Sequence, residues 1–181
     1  MDVRTKLKIV ATKHIRQGGY SSFSFRDLAT KTKIKSSTVH YYFPTKAHLV
    51  EEIVNEYRSS FIDRLNSKSK KSTTTFKKIA VLIRLYDENL ANDLNCLCGV
   101  LAAELNLLSP KEKNTVMQFI IQIEKWLRSE LKEYKPTNGL SVSELVHLIM
   151  SSLNGAIILD RTFTGKRRLS SVRSFVQQAI S

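Results

Sequence analysis

Residues 23–46 read FSFRDLATKTKIKSSTVHYYFPTK, and the fold class turns on how this stretch must be arranged. Ser24 with Asp27 three positions on is a short-form capping box. It opens a helix through about Thr30 whose buried side is Leu28 and Ala29. Thr32-Lys33-Ile34 makes a tight turn, with Ile34 as its apolar plug. A second helix then runs from about Ser36 to Tyr42, until Pro44 stops it and Thr45 restarts the chain. Val39 and Phe43, four apart, anchor that helix inward. Its other face collects hydroxyls, an imidazole and phenols, a mixture suited to a polyanion rather than to a core.

Two helices across a short turn form the helix-turn-helix arrangement, in which the second helix enters the major groove and the first braces it. The candidate DNA contacts are therefore Lys35, Ser36, Ser37, Thr38, His40, Tyr41, Tyr42, Thr45 and Lys46. Serine and threonine donate to phosphates or bases, and the Thr38 methyl suits a thymine methyl. His40 and Tyr41 suit base edges or sugars, whereas Tyr42 and Lys46 suit phosphate. The helix beginning near Thr45 aims backbone N–H groups the same way.

Charge supports this focus. Across 181 residues the chain carries 29 Lys and Arg against 16 acids, a formal +13. Residues 1–50 hold ten of those cations and two acids, a local +8. An excess of that kind points to nucleic acid first and an acidic membrane surface second. The apolar share of 42% is ample for a core.

The rest of the chain reads as helix. Val3, Leu7, Val10, Ala11, His14 and Ile15 line one face, ended by Gly18-Gly19. Leu49, Ile53, Tyr57, Phe61 and Leu65 form a fourth helix, and SKSKKSTTT (67–75) is a polar junction. Stripes follow from Phe76 to Leu90, from Leu94 to Leu105 and from Val116 to Leu131, with a break expected over Lys135 to Gly139. Leu145 to Leu159 is apolar nearly all round, and Leu169 to Ala179 is amphipathic. The expectation is an all-α protein of about nine helices: an N-terminal three-helix head at 1–47 and a helical body at 48–181. A helix apolar on all sides must be covered on all sides. The last two helices are thus expected to pair with a second copy in an isologous homodimer.

In Gly18-Gly19-Tyr20, Phe25, Leu28-Ala29, Ile34, Ser37-Thr38-Val39, His40-Tyr41-Tyr42-Phe43, Lys46 and Leu49, the sequence resembles the TetR family of bacterial transcriptional repressors. The likeness covers roughly residues 4–53. It implies a DNA-binding head, a ligand-binding helical body and a homodimer made by the last two helices. Lys33 stands where the family usually has a turn glycine, so either it adopts a left-handed conformation or the turn differs. Lys35 replaces a small capping residue, and His40 stands where tyrosine is common. The added lysines should strengthen phosphate contact.

The partners expected are a double-stranded DNA operator, a second copy of the chain and a small-molecule effector, with no membrane and no cofactor. Tyr86, Asn106, Phe119, Trp126, His147 and Asn154 interrupt the body's apolar faces and are the candidates for an effector pocket, but core or interface packing accounts better for each and none is assigned to a site. Cys96 and Cys98 raise an oxidative or electrophilic trigger, though leucine-rich surroundings favour buried packing. Four scattered histidines lack metal-ligand spacing. No phosphate loop, nucleophile elbow or His-Glu helix pair appears, so no enzyme is expected. The N-terminus lacks the apolar run of a signal peptide, and Leu145 to Leu159 is shorter than a typical span. These features suit a cytoplasmic regulator. The rival reading is a basic helical protein that binds an acidic protein or lipid surface.

Overall fold

Capping chemistry sets the helix limits. In a computed structural model describing residues 1–134, 139–163, 165 and 168–180, the chain forms nine α-helices and no strands among the described residues. The break expected over Lys135 to Gly139 falls, at 135–138, outside the described residues. Helix α1 spans Val3–Gly18, with Asp2 accepting from the Thr5 N–H at 3.0 Å. Helix α2 spans Phe25–Thr32 and carries the full Ser24–Asp27 capping box. Helix α3 spans Ser36–Tyr42, the limits its anchors and Pro44 dictate. Then come α4 (Lys46–Ser69), α5 (Thr75–Ala91), α6 (Leu97–Ala103), α7 (Pro110–Glu130), α8 (Val142–Asp160) and α9 (Arg168–Ala179).

One expected stripe is interrupted. Asp93 takes a left-handed φ of 55°, and Leu94–Cys96 are irregular, so only Leu97 and Leu101 of the Leu94–Leu105 pattern lie in α6. Leu105–Leu107 form a single 3-10 turn.

The chain divides into two compact units that do not follow chain order. Unit 1 joins residues 1–59 to residues 97–119. Leu7, Ala11 and Ile15 form the buried stripe of α1, and α2 and α6 both pack on that helix. Leu28, Val39, Phe43, Leu49 and Val50 complete the core of the head, each at most 1% exposed.

Unit 2 joins residues 60–96 to residues 120–181. Here α5, α8 and α9 pack on one another. Phe61 meets Tyr86 edge to face at 6.2 Å. Asp160, 1% exposed at the end of α8, accepts from the backbone N–H of Arg168 (3.0 Å) and Leu169 (3.2 Å) and from the Arg168 guanidinium (3.1 Å). The first turn of α9 is thereby tied to the last turn of α8. Charge-assisted bonds of this kind offset the cost of burying the carboxylate.

Helix α8 has 19 residues and is, among the described residues, the helix long and apolar enough to cross a membrane. The sequence argument that this stretch is too short for a span therefore fails on length. Its inner side buries Leu145, Val146, Ile149 and Leu153. Its outer stripe leaves Leu148, Ile158 and Leu159 each more than 40% exposed, and a Cβ added at Gly155 would meet nothing within 4 Å.

Candidate nucleic-acid interface

The turn between α2 and α3 resolves the choice posed by Lys33. Lys33 sits in the left-handed region at φ 58°, ψ 44°. Its N–H donates to Thr30 O at 3.2 Å and the Ile34 N–H donates to Ala29 O at 3.0 Å. Together these bonds make a Schellman motif whose special position is usually glycine. A side chain there costs about 1 kcal/mol. Lys33→Gly is accordingly expected to raise the melting temperature by roughly 2–4 °C; a lower value would show that the lysine makes compensating contacts.

Beyond the turn, α3 is anchored by Val39 and Phe43, with 0% and 1% exposure. The ring of Phe25 meets His40 edge-on at 4.9 Å, which ties the bracing helix to the outward helix. Of the nine candidate contacts, Lys35, Ser36, Ser37, His40, Tyr41 and Thr45 are exposed, Tyr41 at 82%. Thr38 and Tyr42 are half-buried, and the Tyr41 and Tyr42 rings meet at 5.3 Å. Eight of the nine therefore share the surface of α3 and the turns at its two ends.

Lys46 is arranged differently. Its Nζ donates to Phe23 O at 2.6 Å and lies 4.2 Å from the Phe23 ring centroid and 4.5 Å from that of Tyr20. Burial pushes its pKa down, against the carboxylates of Glu104, Asp27 and Glu112. The charge points inward, onto the loop that precedes α2. Glu104 also accepts from the Tyr20 N–H. Gly19 beside it has φ 89°, a conformation that favours glycine, and a Cβ there would lie 2.6 Å from the Glu104 carboxylate and push that side chain aside.

Two further cations behave similarly. Lys6 Nζ donates to Thr32 O at 2.9 Å, capping the end of α2. Arg4 donates to Tyr42 O at 3.4 Å, lies over the Phe43 ring at 4.7 Å and pairs with Glu52. Lys8 is held by Glu52 and Glu56, and Arg16 lies over the Tyr57 ring at 5.5 Å. The ten cations of residues 1–50 thus divide evenly. Arg4, Lys6, Lys8, Arg16 and Lys46 brace the unit from within. Lys13, Arg26, Lys31, Lys33 and Lys35 are exposed, and among the described residues none has an ion-pair partner. Three of these five, Lys31, Lys33 and Lys35, crowd the turn that leads into α3. Lys31 is not among the nine candidate contacts; its exposed position on α2, about 200° around the helix from the buried Ala29, was the available signal.

Of the six body residues set aside as packing, Asn106 is instead exposed, Trp126 is half-buried, and the other four pack in the core or pair at the surface. Tyr86 and Phe119 are fully buried, and the Asn154 amide donates to Met150 O at 3.0 Å. His147 meets Arg128 at 3.2 Å. Both cysteines are buried, at 1% or less exposure. No group of three or more metal-ligating side chains occurs among the described residues.

An apolar-anchored outward helix, a bracing helix and a cationic turn define a helix-turn-helix DNA-binding regulator. Residues 10–53 match the family of bacterial regulatory proteins of the tetR type. A TetR transcriptional regulator from Legionella pneumophila superposes with a TM-score of 0.87 at 27% identity, covering 100% of this chain and 98% of the other. A TetR-family regulator from Agrobacterium tumefaciens shares the fold with a TM-score of 0.91 at 20% identity, covering 98% and 97%. The fatty acid metabolism regulator protein of Bacillus subtilis (strain 168) is 26% identical over 85 residues, 47% of this chain. The chain thus spans only about 44% of that curated relative. The head of the chain thus matches that family, and the whole chain shares the fold of TetR-family transcriptional regulators.

Proposed function

We propose that the chain is a homodimeric repressor that reads a palindromic operator through α3 and releases it on binding a small-molecule effector. In this reading residues 1–47 are the DNA-binding domain and residues 48–181 the ligand-binding and dimerisation domain. The observation that carries it is the outward face of α3, polar from Lys35 to Tyr42 over an anchor of Val39 and Phe43. Ser36, Ser37, Thr38, His40 and Tyr41 meet bases and sugars, while Lys35, Tyr42 and the backbone near Thr45 meet phosphate. Lys46 acts as a positioning residue, holding the Phe23 carbonyl and hence the entry to α2.

Pairing between two copies is supported by the uncovered stripe of Leu148, Gly155, Ile158 and Leu159 on α8. Two heads would then meet half-sites one helical turn apart, about 34–36 Å. A small change in head spacing would break that register, which is the route by which an effector could act. The role belongs in the cytoplasm and involves no catalysis.

The test is selection of binding sites from random duplexes with the wild type, Tyr41→Ala and Thr38→Val. Each substitution is expected to change the preferred bases and to weaken the best wild-type site by roughly 5- to 100-fold. Light scattering on the same preparations is expected to give twice the 20.7 kDa chain mass. Unaltered preference and affinity in both variants would remove α3 from the groove. A wild type that pelleted with anionic vesicles and retarded no duplex would favour the lipid-surface reading.

A further inference from the structure

A cleft of about 520 Å³ in unit 2 is walled by Lys68, Lys71, Lys77, Arg84, Arg173 and Phe76, with no carboxylate in its lining. The end of α4, the junction after it, the start of α5 and the middle of α9 all contribute. Among the described residues, Lys71, Lys77, Arg84 and Arg173 have no ion-pair partner; only Lys68 is matched, to Glu88 at 2.8 Å. Arg173 lies over the Phe76 ring at 5.6 Å. A smaller hollow of about 250 Å³ shares Arg84 and Arg173 and extends the cationic wall toward Asp87.

Five like charges around one hollow repel one another, and a concave low-dielectric wall concentrates their field. A multivalent anion relieves both effects together. Arginine forks pair with phosphate oxygens bidentately and lysines add point charge, so the donor set suits a phosphate chain better than a single carboxylate. The volume lies within the usual range for small-molecule sites. The cations converge from separate elements onto one hollow; they do not run along a face as contacts to duplex would. We propose that this cleft binds a phosphate-bearing small molecule of several negative charges, with Phe76 available to an attached planar group. This site does not depend on the operator reading, and either can fail alone.

Calorimetry of the full chain with sodium triphosphate and with ATP, in metal-free buffer, tests it. Triphosphate is expected to bind at one site per chain, with Arg84→Ser/Arg173→Ser weakening it at least tenfold. At roughly a hundred times the dissociation constant the wild-type melting temperature should rise by about 5 °C. Because the exposed head lysines also attract phosphate, a Lys33→Gly/Lys35→Ala control is expected to keep the affinity within twofold. ATP binding equal to triphosphate supports recognition of the phosphate chain alone, and ATP binding tenfold tighter supports a nucleotide-like ligand. If the double arginine variant melts lower, Lys77→Gln supplies the same comparison. The proposal is overturned by no binding, by binding lost only in the head control, or by cleft variants that weaken duplex binding as much as triphosphate binding.

Discussion

Replacing Lys31 and Lys35 by alanine and Lys33 by glycine in one variant is expected to weaken duplex binding by at least on the order of a hundredfold near 0.15 M salt. Each lysine that neutralises a phosphate releases a counterion. The slope of log affinity against log salt should therefore become shallower by up to about 2.7 for each head engaged. These three side chains are exposed around the α2–α3 turn and have no ion-pair partner among the described residues. Their removal breaks no side-chain hydrogen bond or ion pair seen among the described residues. Glycine at position 33 also relieves the left-handed strain at φ 58°, so the variant should melt no lower than the wild type. Lost affinity with retained stability isolates an electrostatic role. An unchanged slope would mean that the turn does not face phosphate.

The second large effect concerns stability. Asp160→Ala is expected to destabilise the protein by about 3 kcal/mol at neutral pH, because two backbone donors and a guanidinium lose a charged acceptor. In a melt this is a drop of roughly 6–12 °C. Burial alone would raise the Asp160 pKa, but the Arg168 side chain and the N–H groups of Arg168 and Leu169 outweigh it and hold it below the ordinary 3.8. A depressed carboxyl pKa stabilises the fold at pH above the unfolded value, and that contribution fades as pH falls through the folded value. The gap between wild type and variant should accordingly be full at pH 7 and shrink below about pH 4. A gap independent of pH across that range would show that the lost term is packing and not the ionised acceptor.

Much of the head was legible because its signals are local. Ser24 and Asp27 mark the start of α2, Val39 and Phe43 fix the inner side of α3, and Pro44 ends it, so those limits need no distant partner. The inward placement of Lys46 was not legible. A long cation can reach solvent or fold back on a carbonyl, and only the positions of Phe23 and Tyr20 decide between them. The same holds for Arg4 and Lys6, which count as footprint in the sequence but serve as caps in the structure. The membership of residues 97–119 in the first unit is equally a tertiary fact, since α6 joins that unit through its packing on α1. The stripe from Leu94 failed at Asp93, where a left-handed residue ends α5 and no periodicity could report it.

Lys33 places two selective pressures on one codon. Its backbone would relax with glycine, while in the proposed function its exposed ammonium adds to the cationic surface beside α3. A population of variants chosen only for heat resistance should drift toward glycine there and loosen its hold on chromosomal sites. One chosen for tight DNA binding should keep the lysine and tolerate the strained turn.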